Sequence, residues 1–380
     1  MLLKTGARFL SLIYRIVVPT RNPGWLRYFW RLAVLTVLFP PFVLLQLIHW
    51  IGFTFDEILF RGYRRIQIRN PVFVVGVPRS GTTFLHRLLA TDPGFATFST
   101  WECLFAPSIS ERLIVRAVAS ADRWCGRPLR RLLDRAEALL LERSAGIHPT
   151  GLREPEEDYL CFLPVLCCFI LILPFPSAPW VWGMAYFDRD LAPRDRQALL
   201  GWYRRCLQKH LYVHGEAKVL LSKNASFAGM VNGLVNEFAG ARFVVCQRDA
   251  VAVIRSQLNS LEPSMRLFGI AANDPSFRRK LVDCLDFYYR NLDTLCASLP
   301  QSLLVRIALP DLSRNTRCAV ELLYRQFGLA LPAAVDAAIS DYEAGPVPIN
   351  ASRPRELEEW GLDERELGRR FAPWLRERRP

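Results

Sequence analysis

The sequence predicts an α/β fold, a parallel β-sheet flanked by helices, and three observations carry that reading. Short apolar, β-branched runs recur, each followed by a helix-like stretch, beginning with PVFVVGV at Pro71–Val77 and TTFLHRLLA at Thr82–Ala90. These runs are continuous rather than alternating, the pattern of strands buried on both faces. Gly76 and Gly81 punctuate the first junction as strand, turn and helix. Strands alternating with helices build a parallel sheet whose ligands bind at the strands' carboxyl ends.

Taken in order, residues 1–69 form a hydrophobic helical segment that associates with a membrane. Leu32–Phe55 is uncharged, and at ~1.5 Å per residue it just spans a bilayer core. Pro40-Pro41 in its middle removes two backbone donors, so a broken, surface-lying hairpin competes with a single span. Ahead of it, Phe9–Arg31 mixes Arg15, Arg21, Arg27 and Arg31 with Trp25, Tyr28, Phe29 and Trp30, a composition suited to headgroups. The core, residues 70–345, starts with the strand at Pro71. It continues with strands at Lys218–Ser222, Arg242–Cys246 and Leu303–Ile307, and helices at Ala228–Phe238, Val251–Leu261 and Val320–Phe327. Between the first unit and the others lies a mostly helical insertion, 106–209, with a second uncharged run at Tyr159–Met184. Residues 346–380 form a helical tail whose end, Arg365–Arg379, reads as a solvated helix.

The composition supports a large folded chain. Of 380 residues 51% are hydrophobic and 22% charged, with mean hydropathy +0.12, which excludes a disordered chain. A formal charge of +13, mostly arginine, favours acidic partners. The ten cysteines are scattered through apolar segments without C-x-x-C spacing, as expected of free thiols in a reducing compartment. The five histidines do not interleave with them at metal-ligand spacing, so no metal is expected.

Gly76-Val-Pro-Arg-Ser-Gly81-Thr82-Thr83 has the G-x4-G spacing of a phosphate cradle between a strand and a helix. Glycines let the backbone wrap an oxyanion, and the free N–H groups of the following helix favour negative charge. A triphosphate hydrolase carries Lys after the second Gly; here Thr82 stands there, and the basic residue is Arg79 inside the loop.

PVFVVGVPRSGTTFLHRLLATDP resembles the 5'-phosphosulfate loop of sulfotransferases, and RDAVAVIRS at Arg248–Ser256 resembles their 3'-phosphate motif. The wider context, DEILF at Asp56, TWECLF at Thr100, REPEED at Arg153 and EEWGLDE at Glu358, is similar to the bacterial-type group. The resemblance implies a P-loop-type fold and 3'-phosphoadenosine 5'-phosphosulfate (PAPS) as co-substrate. Arg79, Ser80, Gly81, Thr82 and Thr83 would hold the 5' side, and Arg248 and Ser256 the 3'-phosphate. The family's C-terminal R-K-G element is missing, leaving Arg353 or Arg355 as candidate replacements.

Sulfuryl transfer to a hydroxyl or amine needs fixed cations for the leaving charge and a base for the acceptor's proton. Arg79 serves the first role. For the second, Glu102 in TWECLF stands where protein-tyrosine sulfotransferases place a catalytic Glu. His148 lies about as far from the loop as the catalytic His of cytosolic relatives. Glu156 and Glu157 in REPEED compete with both. His86 reads as a packed helix residue, and Lys223, at a strand's end, projects toward the crevice. The run Leu160–Leu173 is expected either to line a pocket for a lipophilic acceptor, a sterol, lipid or glycolipid, with a carbohydrate also open, or to be plain core. A nucleotide kinase or a non-catalytic basic membrane-binding module competes with the enzyme; nucleic acid is not expected as a partner. Cofactor supply and free thiols favour a catalytic domain facing the cytoplasm. A luminal protein would instead offer sequons at Asn224 and Asn350. The sequence leaves oligomeric state open.

Overall fold

The computed structural model describes residues 1–18, 24–143, 151–345 and 355–375. Its principal elements are α1 (Leu2–Val17), α2 (Trp25–Leu59), β1 (Val72–Gly76), α3 (Thr82–Leu89), β2 (Phe95–Ala96), α4 (Thr100–Leu104), α5 (Ile109–Trp124) and α6 (Pro128–Arg143). There follow 3-10 turns at Asp158–Val165 and Phe169–Ile172, then α7 (Pro193–His214), β3 (Val219–Lys223), β4 (Arg242–Gln247), α8 (Ala250–Leu267), α9 (Pro275–Ser298), β5 (Leu304–Ala308), α10 (Thr316–Gln326) and α11 (Glu364–Leu375).

The five strands are all parallel in the order β2-β3-β1-β4-β5, with Val74 opposite both Lys223 and Val244. Side chains alternate across a strand, so β1 divides its apolar run between two cores. Phe73 and Val75 join Leu207, Ile254 and Leu285 from α7, α8 and α9. Val72 and Val74 join Leu85 and Leu323 from α3 and α10 on the other face. The chain fills β2 and β3 on one side of β1 and then crosses to β4 on the other. That reversal opens a crevice at the carboxyl ends of β1, β3 and β4.

Several expectations are corrected. The helix α2 runs unbroken through Pro40 and Pro41. Proline adjacent to proline costs the helix donors only within one turn, and α1 and the domain pack alongside, with Phe39 ringed by Phe9, Phe42 and Phe175. Arg15 and Arg31 are not free for headgroups. Arg15 donates to the Ser177 carbonyl at 2.7 Å, and Arg31 to those of Arg15 and Pro174 at 3.0 and 3.2 Å. The run Leu160–Leu173 is almost wholly buried core rather than a groove lining, because its 3-10 turns point residues inward on every side. Ala228–Phe238 divides into a 3-10 turn, Ala225–Gly229, and a helix, Val231–Glu237. The tail helix α11 is amphipathic, burying Leu367 and Phe371. The two-residue strand β2 carried too short a signal to be read from sequence.

Candidate active site

The loop after β1 is shaped by close backbone approach. A Cβ on Gly76 would lie 2.6 Å from the Cys246 carbonyl and 2.7 Å from Ser80 Oγ, and Gly81 sits at φ +90°. Ser80 is fully buried and donates to the Val77 carbonyl at 2.6 Å, closing the loop. Between them Arg79 adopts φ +68°, a conformation that costs a non-glycine residue of order 1 kcal/mol and that clusters at functional sites.

Around Arg79 the predicted nucleotide residues come together. Arg79 Nε donates to Ser256 Oγ at 3.1 Å, and Arg248 Nη1 donates to the Arg79 carbonyl at 2.7 Å. Tyr289 OH in turn donates to the Arg248 carbonyl at 2.7 Å. The eight-residue spacing works because Arg248 ends β4 while Ser256 lies in the second turn of α8, capped by Asp249 accepting from the Ala252 amide. Burial, then the neighbouring Arg248 charge, lowers the Arg79 pKa, and burial does the same for Arg248. Both guanidinium groups stay charged, so a bound anion relieves the cost of holding two cations together. The cradle, the paired cations and the hydroxyl donor therefore fit a nucleotide carrying phosphates at both ends. Arg355 lies farther along α8, paired with Glu262 at 2.9 Å while Asn259 holds its backbone. Arg353 and His148 lie outside the described residues.

The carboxylates separate into two groups. Glu102 is 2% exposed and closes a capping box, accepting from the Ser99 amide at 3.0 Å and the Ser99 hydroxyl at 2.7 Å. Its other oxygen accepts from His214 Nε2 at 2.5 Å and lies 3.8 Å from Arg112 Nε. Burial works to raise the Glu102 carboxyl, but the His214 hydrogen bond and the Arg112 and His214 charges hold it well below the usual carboxylate range. Both Glu102 oxygens are therefore engaged, one by Ser99 and one by His214, and His214 stands about 16 Å along α7 from Tyr203, which meets Ser222 Oγ at 3.1 Å.

Glu156 and Glu157 lie at the strand ends. Lys223, 4% exposed at the end of β3, is ion-paired to Glu157. Glu156 accepts from the Glu157 amide at 2.9 Å and from Thr100 Oγ1 at 3.4 Å, and burial followed by the Glu157 charge raises its pKa. The Glu156 amide donates to the Phe98 carbonyl at 2.9 Å, so the TWECLF and REPEED segments are neighbours. Beneath them Asp158 accepts from Tyr203 at 2.5 Å and Ser222 at 3.0 Å, a network that sequence reasoning missed. His86 is buried and hydrogen-bonded to Thr97 Oγ1 at 2.7 Å, the packed helix residue expected.

Glu102, His210 and His214 present ligand atoms within 4.8 Å of one another. The donor set nevertheless does not fit a cation. Arg112 Nη1 approaches His210 Nδ1 at 3.1 Å, and arginine only donates, so a neutral His210 ring carries its proton on Nε2. Burial and then the Arg112 charge push His210 well below its usual range, keeping the ring neutral. A cavity of about 1540 Å3 lies between α1, α2 and α7, lined by Trp50, Phe53, Trp202 and Lys209. It opens on the face of α7 opposite Tyr203, away from the loop.

Comparison with known proteins bears on the family and the fold. Two curated relatives, each named omega-hydroxy-beta-dihydromenaquinone-9 sulfotransferase Stf3, from Mycobacterium bovis and Mycobacterium tuberculosis, are 25% identical over 68% of this chain. The match spans 63% of their length. Among solved structures, sulfotransferase STF9 from Mycobacterium avium aligns with TM-score 0.68 at 18% identity, covering 85% of this chain and 80% of that one. Sulfotransferase STF1 from M. tuberculosis aligns with TM-score 0.65 at 18% identity, covering 97% and 93%. These two share the fold. The sulfotransferase family model matches residues 71–333, from the strand that feeds the phosphate loop to beyond the last strand, and the chain belongs to the sulfotransferase family.

Proposed function

We propose that this chain is an enzyme that transfers a sulfuryl group from PAPS to the hydroxyl of a lipophilic acceptor. The observation that carries the reading is the convergence of Arg79, Arg248 and Ser256 on one end of the sheet. PAPS supplies the activated sulfuryl group when bound. The loop from Gly76 to Thr83 holds its 5' side through backbone N–H groups, while Arg248 and Ser256 bind the 3'-phosphate. Arg79 and Lys223 place positive charge where the leaving phosphate gains negative charge, in a half-buried crevice where such charges act strongly. Glu156 takes the acceptor's proton: its raised pKa makes it a stronger base than an ordinary carboxylate, and the Lys223 charge acts on it. Glu157 orients Lys223, and Glu102 holds the wall formed by α4, α5 and α7.

A lipophilic alcohol is supported by the relatives, whose names specify an omega-hydroxylated menaquinone as acceptor. It is also supported by α2, which is long and apolar enough to cross a membrane, with 17% of its most apolar window buried. A catalytic domain facing the cytoplasm is supported by ten free cysteines, eight of them buried, and by the burial of Asn224, which closes that sequon to glycosylation. The deciding experiment supplies full-length protein in detergent with 35S-labelled PAPS and a long-chain alcohol. Label in the alcohol without added metal supports the reading. Transfer only from ATP with Mg2+ overturns it in favour of a kinase.

A further inference from the structure

The α5–α6 hairpin carries an exposed apolar surface that the fold does not explain. Its root is buried; beyond it Ile114, Val118, Trp124, Leu129, Leu132 and Leu133 are between 48% and 92% exposed. So many large apolar side chains left exposed on one hairpin of a folded chain mark an interaction surface. The hairpin itself is well built. Asp122 is buried and accepts from the Leu129 and Arg130 amides at 2.8 and 3.1 Å, capping α6, and Glu137 Oε1 accepts from the Leu152 amide at 2.7 Å.

Charge and continuity say what covers it. Six arginines of the hairpin, 116, 123, 127, 130, 131 and 135, are exposed. Against them stands one exposed carboxylate among the hairpin's described side chains, Asp134, already paired with Arg130 at 3.1 Å. Interleaved arginines and large apolar side chains match an anionic headgroup layer over acyl chains. The hairpin also grows from the apolar helix: Asp56 near the end of α2 accepts from the Ile109 and Ser110 amides at 2.9 and 2.8 Å, and His49 meets Glu111 at 2.6 Å. The exposed strip of α2 that includes Leu47, Ile51 and Phe55 therefore lies on the element from which α5 starts. At its other end the chain returns through Leu152, whose carbonyl accepts from the Trp101 amide at 2.9 Å, and reaches Glu156 four residues later.

We propose that the α5–α6 hairpin is a membrane-docking arm that lies in an anionic leaflet beside α2 and brings bilayer-resident acceptors to the crevice. Docking stands on its own observations; delivery of the acceptor rests on the sulfuryl-transfer reading.

The test uses full-length Cys318→Ser protein, in which Cys125, in the turn between the helices, remains the exposed thiol among the described residues. Cys125 is labelled with an environment-sensitive fluorophore and the protein reconstituted into phosphatidylcholine vesicles with or without about 30% phosphatidylglycerol. A blue shift and quenching by spin-labelled lipid in the anionic vesicles, weakened by salt, are expected. Leu132→Glu/Leu133→Glu removes two exposed leucines that the bilayer would cover and should abolish both, cutting transfer to a long-chain alcohol at least about tenfold. Transfer to a short water-soluble alcohol and thermal stabilisation by 3'-phosphoadenosine 5'-phosphate (PAP) should be unchanged, showing the fold and site intact. A label that stays solvent-exposed and unquenched in anionic vesicles overturns docking. So does a concentration-dependent blue shift in lipid-free detergent, which assigns the surface to a second copy of the chain. Quenching with no transfer to either alcohol keeps docking and overturns delivery.

Discussion

Replacing Arg248 by alanine tests the nucleotide site most directly. Arg248 does two things: it is the proposed ligand of the 3'-phosphate, and it donates to the Arg79 carbonyl at 2.7 Å beside that residue's φ of +68°. A charge-assisted hydrogen bond contributes about 1.5–3 kcal/mol. Its loss therefore weakens PAP binding by about 10- to 150-fold. With ligand at 100 times the wild-type Kd, binding stabilises the wild type by about 2.7 kcal/mol and the variant by about 0.3–1.4 kcal/mol. Thermal melting with and without PAP reads this as a ligand-induced shift reduced by half or more, while the ligand-free Tm changes little because Arg248 is on the surface of the crevice. Arg248→Lys should recover part of the shift, keeping the charge without the planar fork. Equal stabilisation of wild type and Arg248→Ala by PAP would refute the assignment of the 3'-phosphate to this residue.

Three other outcomes are expected. Glu156→Gln should lower the rate of sulfuryl transfer by about 100- to 10,000-fold while leaving the PAP-induced shift intact; full turnover in that variant, with a folded Glu102→Gln variant inactive, would move the base to Glu102. Asp158, pushed up to about 7 chiefly by burial, holds a proton in the folded state that an unfolded Asp near 3.9 has released, so its contribution to stability is present at low pH and lost as pH rises through about 7. Melting of wild type against Asp158→Asn should accordingly favour the wild type more at pH 5 than at pH 8, and a difference constant across that range would refute the reasoning. Asp56→Asn leaves Lys209, 3% exposed, with Glu57 at 3.6 Å as its remaining carboxylate. Breaking a buried pair in this way should cost about 3–5 kcal/mol in denaturant unfolding, and a loss under about 1 kcal/mol would show that the pair is not what fastens α2 to α5 and α7.

The sequence by itself determined the parallel sheet, the glycine loop after its first strand and the junction that joins Arg248 to Ser256. All three are local signals. A β-branched run between a breaker and a glycine turn can only be a strand feeding a helix, and the eight-residue separation of Arg248 and Ser256 is measured along one strand–helix junction. Tertiary structure decided what surrounds each carboxylate. Glu102 and Glu156 are equally acidic letters in the sequence. Glu102 ends hydrogen-bonded to Ser99 and His214, which hold its carboxyl low, whereas burial leaves that of Glu156 raised. The fate of the apolar runs was equally hidden. Leu160–Leu173 and Ile114–Leu133 both hold hydrophobic residues, yet one fills the core and the other stands in the open. Hydropathy records what a segment would gain from burial, whereas only packing against the rest of the chain decides whether protein or membrane supplies it.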